Sequence, residues 1–167
     1  EPYVAVTWAT GVDPTTGRPI ETEQSSYLEK AKLMLPGPQG GHNWQPMAFS
    51  PKTGLVYLPA HDTPFWYAKE GVFKVRPGTW NLGLDMDVVV ERTETDTPVA
   101  KGQLIAWDPV AKQARWRVEH EGHWNGGTLS TAGGLVFHGL GNGVFRAYHD
   151  ETGEVLWKFD ANPKDTF

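Results

Sequence analysis

A unit repeated at a spacing of 41 residues constrains this chain more than any other feature. Gln103-Leu104-Ile105-Ala106-Trp107-Asp108, followed by Ala114-Arg115-Trp116-Arg117-Val118, is matched by Val144-Phe145-Arg146-Ala147-Tyr148, followed by Val155-Leu156-Trp157-Lys158-Phe159. Ala106 and Ala147 are 41 apart, and so are Trp116 and Trp157. Each copy reads as a hairpin of two short apolar strands whose second strand carries the Trp. A second register matches Gly54-Leu55-Val56-Tyr57 to Gly134-Leu135-Val136-Phe137, and Trp44 to Trp124, at an offset of 80 that is close to two such units. A recurring unit of roughly 40 to 45 residues built from four short strands is the mark of a β-propeller blade, which cannot bury both faces alone and must stack on its neighbours. The closing Trp then has a physical task, because a flat indole can fill the gap between blades and bury on the order of 200 Å². Trp116 and Trp157 are accordingly expected at equivalent positions, each buried against a neighbouring blade. The competing reading is a β-sandwich with coincidental Trp spacing.

Composition sides with an all-β fold: 19 Gly, 13 Pro and 8 Trp among 167 residues leave apolar runs of only four or five between turn signals. At 41 residues per unit the chain holds four units at most, and residues 61–101 read as an aromatic-rich insertion carrying Phe65, Trp66, Tyr67, Phe73 and Trp80. The expectation is a partial β-propeller of about three blades, with residues 1–167 a fragment of one domain, since a closed ring needs about four to eight blades. Tyr3-Val4-Ala5-Val6-Thr7-Trp8 reads as a strand, followed by a turn at Asp13-Pro14-Thr15-Thr16-Gly17. Residues 27–35 suit a helix by propensity, yet Pro36-Gly37-Pro38 would stop it, and a strand over residues 32–35 is the alternative. Residues 49–59 form a hairpin with its turn at residues 50–54.

Charge and cysteine count remove several function classes. With 15 Lys and Arg against 20 Asp and Glu the formal charge is -5, which gives no attraction to a phosphate backbone, so nucleic acid is not an expected partner. The absence of Cys excludes, within this chain, a disulfide scaffold, a CxxCH haem attachment, thiolate zinc and a cysteine nucleophile. No apolar run is long enough for a membrane span. A start at Glu1-Pro2 is read as processing or excision from a longer chain.

The stretch with most chemical content is Gly40-Gly41-His42-Asn43-Trp44-Gln45-Pro46-Met47. Its glycines allow close backbone approach, Asn43 offers an amide, and Trp44 offers a flat face and an N–H, a set suited to a planar polar ring. The plainer reading is a loop leading into a strand, with Asn43 capping its turn. Gly122-His123-Trp124-Asn125-Gly126-Gly127-Thr128-Leu129 repeats the pattern, so both loops are expected at one end of the propeller. His120-x-x-His123 has the look of two metal ligands, but no third sits at a convincing spacing, and turn polarity is the favoured reading. Asp85 and Asp87 would share a face on a strand, as cation ligands, as an acid–base pair, or as solvated surface carboxylates. Gly139-Leu140-Gly141-Asn142-Gly143 lacks the following helix that a phosphate loop requires and reads as a hairpin turn with positive φ angles.

The same residues resemble a family. Gly41-His42-Asn43-Trp44-Gln45-Pro46-Met47, then Asn125-Gly126-Gly127-Thr128-Leu129-Ser130-Thr131-Ala132-Gly133-Gly134-Leu135-Val136-Phe137, then Ala147-Tyr148 with Thr152-Gly153 and Trp157, look like the later blades of the pyrroloquinoline quinone (PQQ) dependent alcohol dehydrogenases. The likeness includes Trp8-Ala9-Thr10-Gly11-Val12-Asp13 and Gly17-Arg18-Pro19-Ile20 and is weakest over residues 61–100. It implies an eight-bladed propeller in the bacterial periplasm that holds PQQ and calcium and oxidises primary alcohols to aldehydes, passing electrons to an acceptor such as a cytochrome. Asn43 and Trp44 match the family's Asn-Trp pair that contacts the quinone, and Trp124 matches a Trp of the same pocket. The catalytic Asp, the calcium ligands and the basic residue near the quinone lie, in the family, on upstream segments, so the resemblance assigns no catalytic or metal residue here. Haem c is possible in the parent protein, without an attachment motif in this chain. Missing propeller segments, or a second copy, are the partners expected for the fragment, which by itself is expected to be inactive. A non-catalytic propeller scaffold or protein-binding module is the alternative function.

Overall fold

The computed structural model describes residues 2–161, and its strands are joined by turns at the Gly, Pro, Asn and Asp signals of the sequence. In chain order the elements are β1 (Ala9–Val12), β2 (Pro19–Glu21), β3 (Lys32–Met34), β4 (Ala48–Ser50), β5 (Leu55–Asp62), β6 (Phe65–Tyr67), α1 (Met86–Thr95), β7 (Lys101–Asp108), β8 (Gln113–Glu121), β9 (Thr128–Ser130), β10 (Leu135–Gly139), β11 (Val144–His149) and β12 (Val155–Asp160). Two units divide them, one comprising residues 2–4, 39–62 and 100–161 and the other residues 5–38 and 63–99.

The first unit consists of two four-stranded antiparallel sheets, in the orders β4-β5-β7-β8 and β9-β10-β11-β12. Their registers are equivalent: Ala106 lies opposite Trp116 in one and Ala147 opposite Trp157 in the other, each followed at once by a bulge. Repetition of the pairing and of its irregularity makes these two sheets copies of one blade. Tyr57, Leu104 and Ala106 of the first blade pack with Val136 and Tyr148 of the second, all 3% exposed or less, with Leu55 beside them. β5 reads Leu-Val-Tyr-Leu-Pro-Ala-His-Asp and is buried along almost its whole length, as an inner strand covered on both faces must be. β8 instead alternates, exposing every other residue. Pro59 stands within β5, but β4 pairs only with Leu55–Tyr57, so past Tyr57 that flank of the strand does not require a ladder donor from Pro59.

The two closing Trp residues differ. Trp116 sits with its ring 5.9 Å from Tyr57 and 6.5 Å from Tyr148, and its Nε1–H donates to the Asp150 carbonyl of the next blade at 3.0 Å. Gly153 lies beneath it with φ 74°, and a Cβ there would fall 2.7 Å from Trp116 Cε3. Glycine is thus required twice over at that position, by the backbone conformation and by the indole. Trp157 occupies the equivalent place yet is 49% exposed, and among the described residues its ring meets Phe145 and Phe159 of its own sheet. Trp116 is partly buried, packed against the next blade, and Trp157 is not, because no described residue stacks on the outer side of the second blade.

The offset of 80 also takes a different meaning. β4 and β9 begin 80 residues apart and are the same strand of successive blades, so one blade step and not two separates them. The excess over 41 is the excursion between β5 and β7, which pair directly along their lengths.

The second unit holds that excursion and the N-terminal segment. β1 and β2 form a hairpin whose turn is closed by Asp13, its carboxylate accepting the N–H of Thr15 at 2.7 Å and of Thr16 at 3.3 Å. Residues 3–8 are not a strand, contrary to the expectation; pairing begins at Ala9. β3 pairs with β6, which resolves residues 32–34 as strand, since Pro36 and Gly37 leave no room for a helix and Leu33 finds a partner in Trp66. Trp66 donates Nε1–H to Thr97 Oγ1 at 3.0 Å and lies under the Arg92 guanidinium at 5.4 Å. Asp85 and Asp87 are not on a strand: Asp85 is the N-cap of α1, accepting the Val88 N–H, and Asp87 stands in the first turn, where both favour the helix dipole.

Candidate functional site

Two loops of the first unit lead into β4 and β9, the corresponding first strands of the two blades, and they are tied together. Thr128 donates its N–H to the Pro46 carbonyl at 2.9 Å and its hydroxyl to the Tyr57 carbonyl at 3.0 Å. Gly127 packs so closely on the Pro46 ring that a side chain there would collide with it. This joint sets Trp44 and Trp124 side by side, with ring centroids 6.3 Å apart and planes at 64°. Both indoles remain open, Trp44 at 68% and Trp124 at 40% exposure, and the expectation that the two loops share one end of the blades holds. Trp124 also borders an open cleft of about 360 Å³ with Glu121, His123 and Asn142.

Asn43 is exposed, and its amide is half spent within its own loop. Nδ2 donates to the Gln39 carbonyl at 3.0 Å, and Oδ1 accepts the Trp44 N–H at 2.9 Å. A primary amide carries two hydrogens and two acceptor sites, so one N–H and one lone pair remain for a ligand. The turn-capping role read from the sequence is therefore present, and it aims Trp44. The His42 Nδ1 bond to the Pro59 carbonyl, 2.8 Å, holds the same loop against β5.

His120 and His123 do not converge. His120 is 6% exposed and faces His138 across the blades, centroids 5.3 Å apart, whereas His123 lies edge-on to His61 and Trp124. Desolvation lowers both His120 and His138 to a pKa of about 4, His138 and Arg146 adding to the effect at His120 and Arg146 at His138. Among the described residues no group of three His, Asp or Glu is placed to hold a metal ion, and no metal ligand is assigned. The run from Gly139 to Gly143 joins β10 to β11 as expected, although of its glycines only Gly143 has a positive φ.

Two further residues support the site, Asn125 from within the second loop and His61 from outside both loops. Asn125, 7% exposed, braces the Trp124 loop by accepting the Gly141 N–H at 3.0 Å and donating to the Gly122 carbonyl at 3.4 Å. His61, near the end of β5 and 2% exposed, stacks on Trp124 at 5.9 Å and 28°. Only the burial of β5 points to it, because it lies in neither loop.

The donor set suits a flat, polar, aromatic group: two open indoles and a free amide N–H, set on a rigid joint. It forms one wall.

No protein-family model matches the chain. It is 48% identical over 168 residues to the dehydrogenase subunit of a quinone alcohol dehydrogenase from Gluconacetobacter polyoxogenes, covering 96% of this chain and 23% of that protein. To a quinohemoprotein alcohol dehydrogenase of Pseudomonas putida it is 44% identical over 161 residues, with the same coverage of each. The crystal structure of the quinohemoprotein alcohol dehydrogenase from Comamonas testosteroni superposes with a TM-score of 0.81 at 39% identity, covering 96% of this chain and 24% of that one. A europium-containing methanol dehydrogenase superposes with a TM-score of 0.81 at 28% identity, over 97% and 28%. The chain thus spans about a quarter of the length of these relatives. Sequence and fold agree in making it a homologue of part of the propeller of the PQQ-dependent alcohol dehydrogenases.

Proposed function

We propose that this chain supplies one wall of the PQQ pocket in a periplasmic quinoprotein alcohol dehydrogenase that oxidises primary alcohols to aldehydes and hands the electrons to an acceptor such as a cytochrome. The observation that carries the reading is the pair of open indoles, Trp44 and Trp124, set 6.3 Å apart on equivalent loops of successive blades. The names of the relatives support the quinone and the alcohol. PQQ accepts two electrons from the alcohol when bound, with calcium as the expected companion ion held outside this segment. What the residues here do is bind and orient: Asn43 gives its remaining amide N–H to a ligand oxygen, and the indoles exclude water from the ring they border. No proton transfer is assigned to any of the 167 residues.

In the full-length parent, Asn43→Ala is expected to weaken PQQ retention by roughly 0.5 to 3 kcal/mol while the melting temperature stays within a few degrees of the parent's. Equilibrium dialysis of PQQ measures this, and unchanged affinity removes Asn43 from the pocket. The 167 residues alone are expected to show no dye-linked alcohol oxidation with added PQQ and calcium. They are also expected to self-associate, because Val155, Leu156, Trp157 and Phe159 of the outer strand are between 42% and 54% exposed. Turnover by a monodisperse preparation in light scattering would falsify this.

A further inference from the structure

Trp124 does not stand alone in its loop. The ring stacked on it belongs to His61, a residue 2% exposed, while the indole itself is 40% exposed, so a buried platform carries an open aromatic face. His61 is in turn fixed from several sides. Its backbone N–H donates to the Gly41 carbonyl at 3.0 Å, Gly102 lies opposite it in β7, and the His123 ring meets it edge-on at 6.3 Å and 84°. Burial holds the imidazole below its ordinary pKa. The neighbouring His123 and His42 add to the effect, while the Gln39 carbonyl and Asp62 oppose it. The stack is therefore one between two uncharged rings at neutral pH.

An exposed Trp turns readily about its side-chain torsions, and each orientation lost on binding weakens a ligand's hold. We propose that His61 is a positioning residue for Trp124: its imidazole fixes the plane of the indole before a planar ring ligand arrives. This rests on the reading that Trp124 lines the quinone pocket. The same stack accounts for why a polar ring occupies a fully buried site on β5. A flat ring matches the indole in a way a branched aliphatic side chain of similar volume does not.

The test uses the full-length protein and three variants: His61→Leu, His61→Phe and Trp124→Ala. Expected for His61→Leu are an affinity for PQQ, by equilibrium dialysis, about 5- to 10-fold weaker and a reduced near-ultraviolet circular dichroism band of Trp in the cofactor-free protein. His61→Phe, which restores a flat ring, should return both to within about 2-fold of the parent, a rescue that mere filling of volume would give equally to Leu. Should His61→Leu fail to fold, His61→Asn takes its place with the same expectation. Parental affinity and dichroism in the Leu or Asn variant, with Trp124→Ala weakened, overturn the role of His61 alone. Unchanged affinity in Trp124→Ala overturns the pocket assignment itself and the ligand half of this proposal, leaving the dichroism of the His61 variants to decide whether the stack orients the indole.

Discussion

Trp116→Ala is expected to lower the unfolding free energy of this chain by about 3 to 5 kcal/mol, whereas Trp157→Ala should cost no more than about 1.5 kcal/mol. The two residues are equivalent by sequence and by register, so the difference isolates what a neighbouring blade contributes. Trp116 presses on Gly153 and gives its N–H to the Asp150 carbonyl, joining the blades by a contact and a hydrogen bond that Ala cannot make. Tyr57 shares that carbonyl through its hydroxyl at 3.1 Å, so the acceptor is not left bare in the variant. Trp157 is 49% exposed and has less to lose. Urea denaturation of both variants, followed by far-ultraviolet circular dichroism at dilutions where light scattering shows monomers, measures the pair of values. Equal losses would mean that docking between blades is not what the repeated Trp provides.

A second large effect is expected on acidification. His120 and His138 meet between the blades with pKa values of about 4 in the fold, against about 6.5 in an unfolded chain. Lowered values mean that the unfolded chain takes up protons first as pH falls. The contribution of the two rings is therefore fully present above pH 6.5, declines between 6.5 and 4, and is gone below about 4. A displacement of that size corresponds to about 3 kcal/mol per imidazole. The physical cause is the dry interface, with the Arg146 guanidinium adding repulsion and the Gly126 carbonyl, 3.2 Å from Nε2, the one favourable partner of His138 among the described residues. Both rings should keep neutral-imidazole chemical shifts down to pH 5 in a nuclear magnetic resonance titration, while the urea midpoint falls steadily from pH 7 to 4.5. A His138 resonance that titrates near 6.5 in the folded protein would refute the buried, neutral assignment.

How much of this was legible in the residues varies with the range of the interaction. The hairpins around Trp116 and Trp157 and the turn at Ser50–Gly54 were readable, because turn chemistry and strand alternation are local. Residues 32–34 were ambiguous by propensity alone, and pairing of Leu33 with Trp66 decided them; the strand reading of Asp85 and Asp87 gave way to a helix start, where Asp85 caps the Val88 N–H. Asn43, Trp44 and Trp124 were singled out from loop composition and a resemblance. What Asn43 spends on Gln39 and Trp44, and what it keeps for a ligand, is a matter of geometry.

By itself the sequence determined the blade: a period of 41 residues, strands short enough to be broken by Gly and Pro, and one Trp per unit are properties of a single repeat read along the chain. Tertiary structure alone decided which Trp finds a neighbour, that the offset of 80 is one blade step stretched by an excursion, and that His61, distant in sequence from His123 and Trp124, stacks beneath the indole. The reason is physical. Local pattern fixes which face of a strand is apolar, but what lies against that face is set by chain segments tens of residues away, whose approach leaves no periodic trace in the sequence.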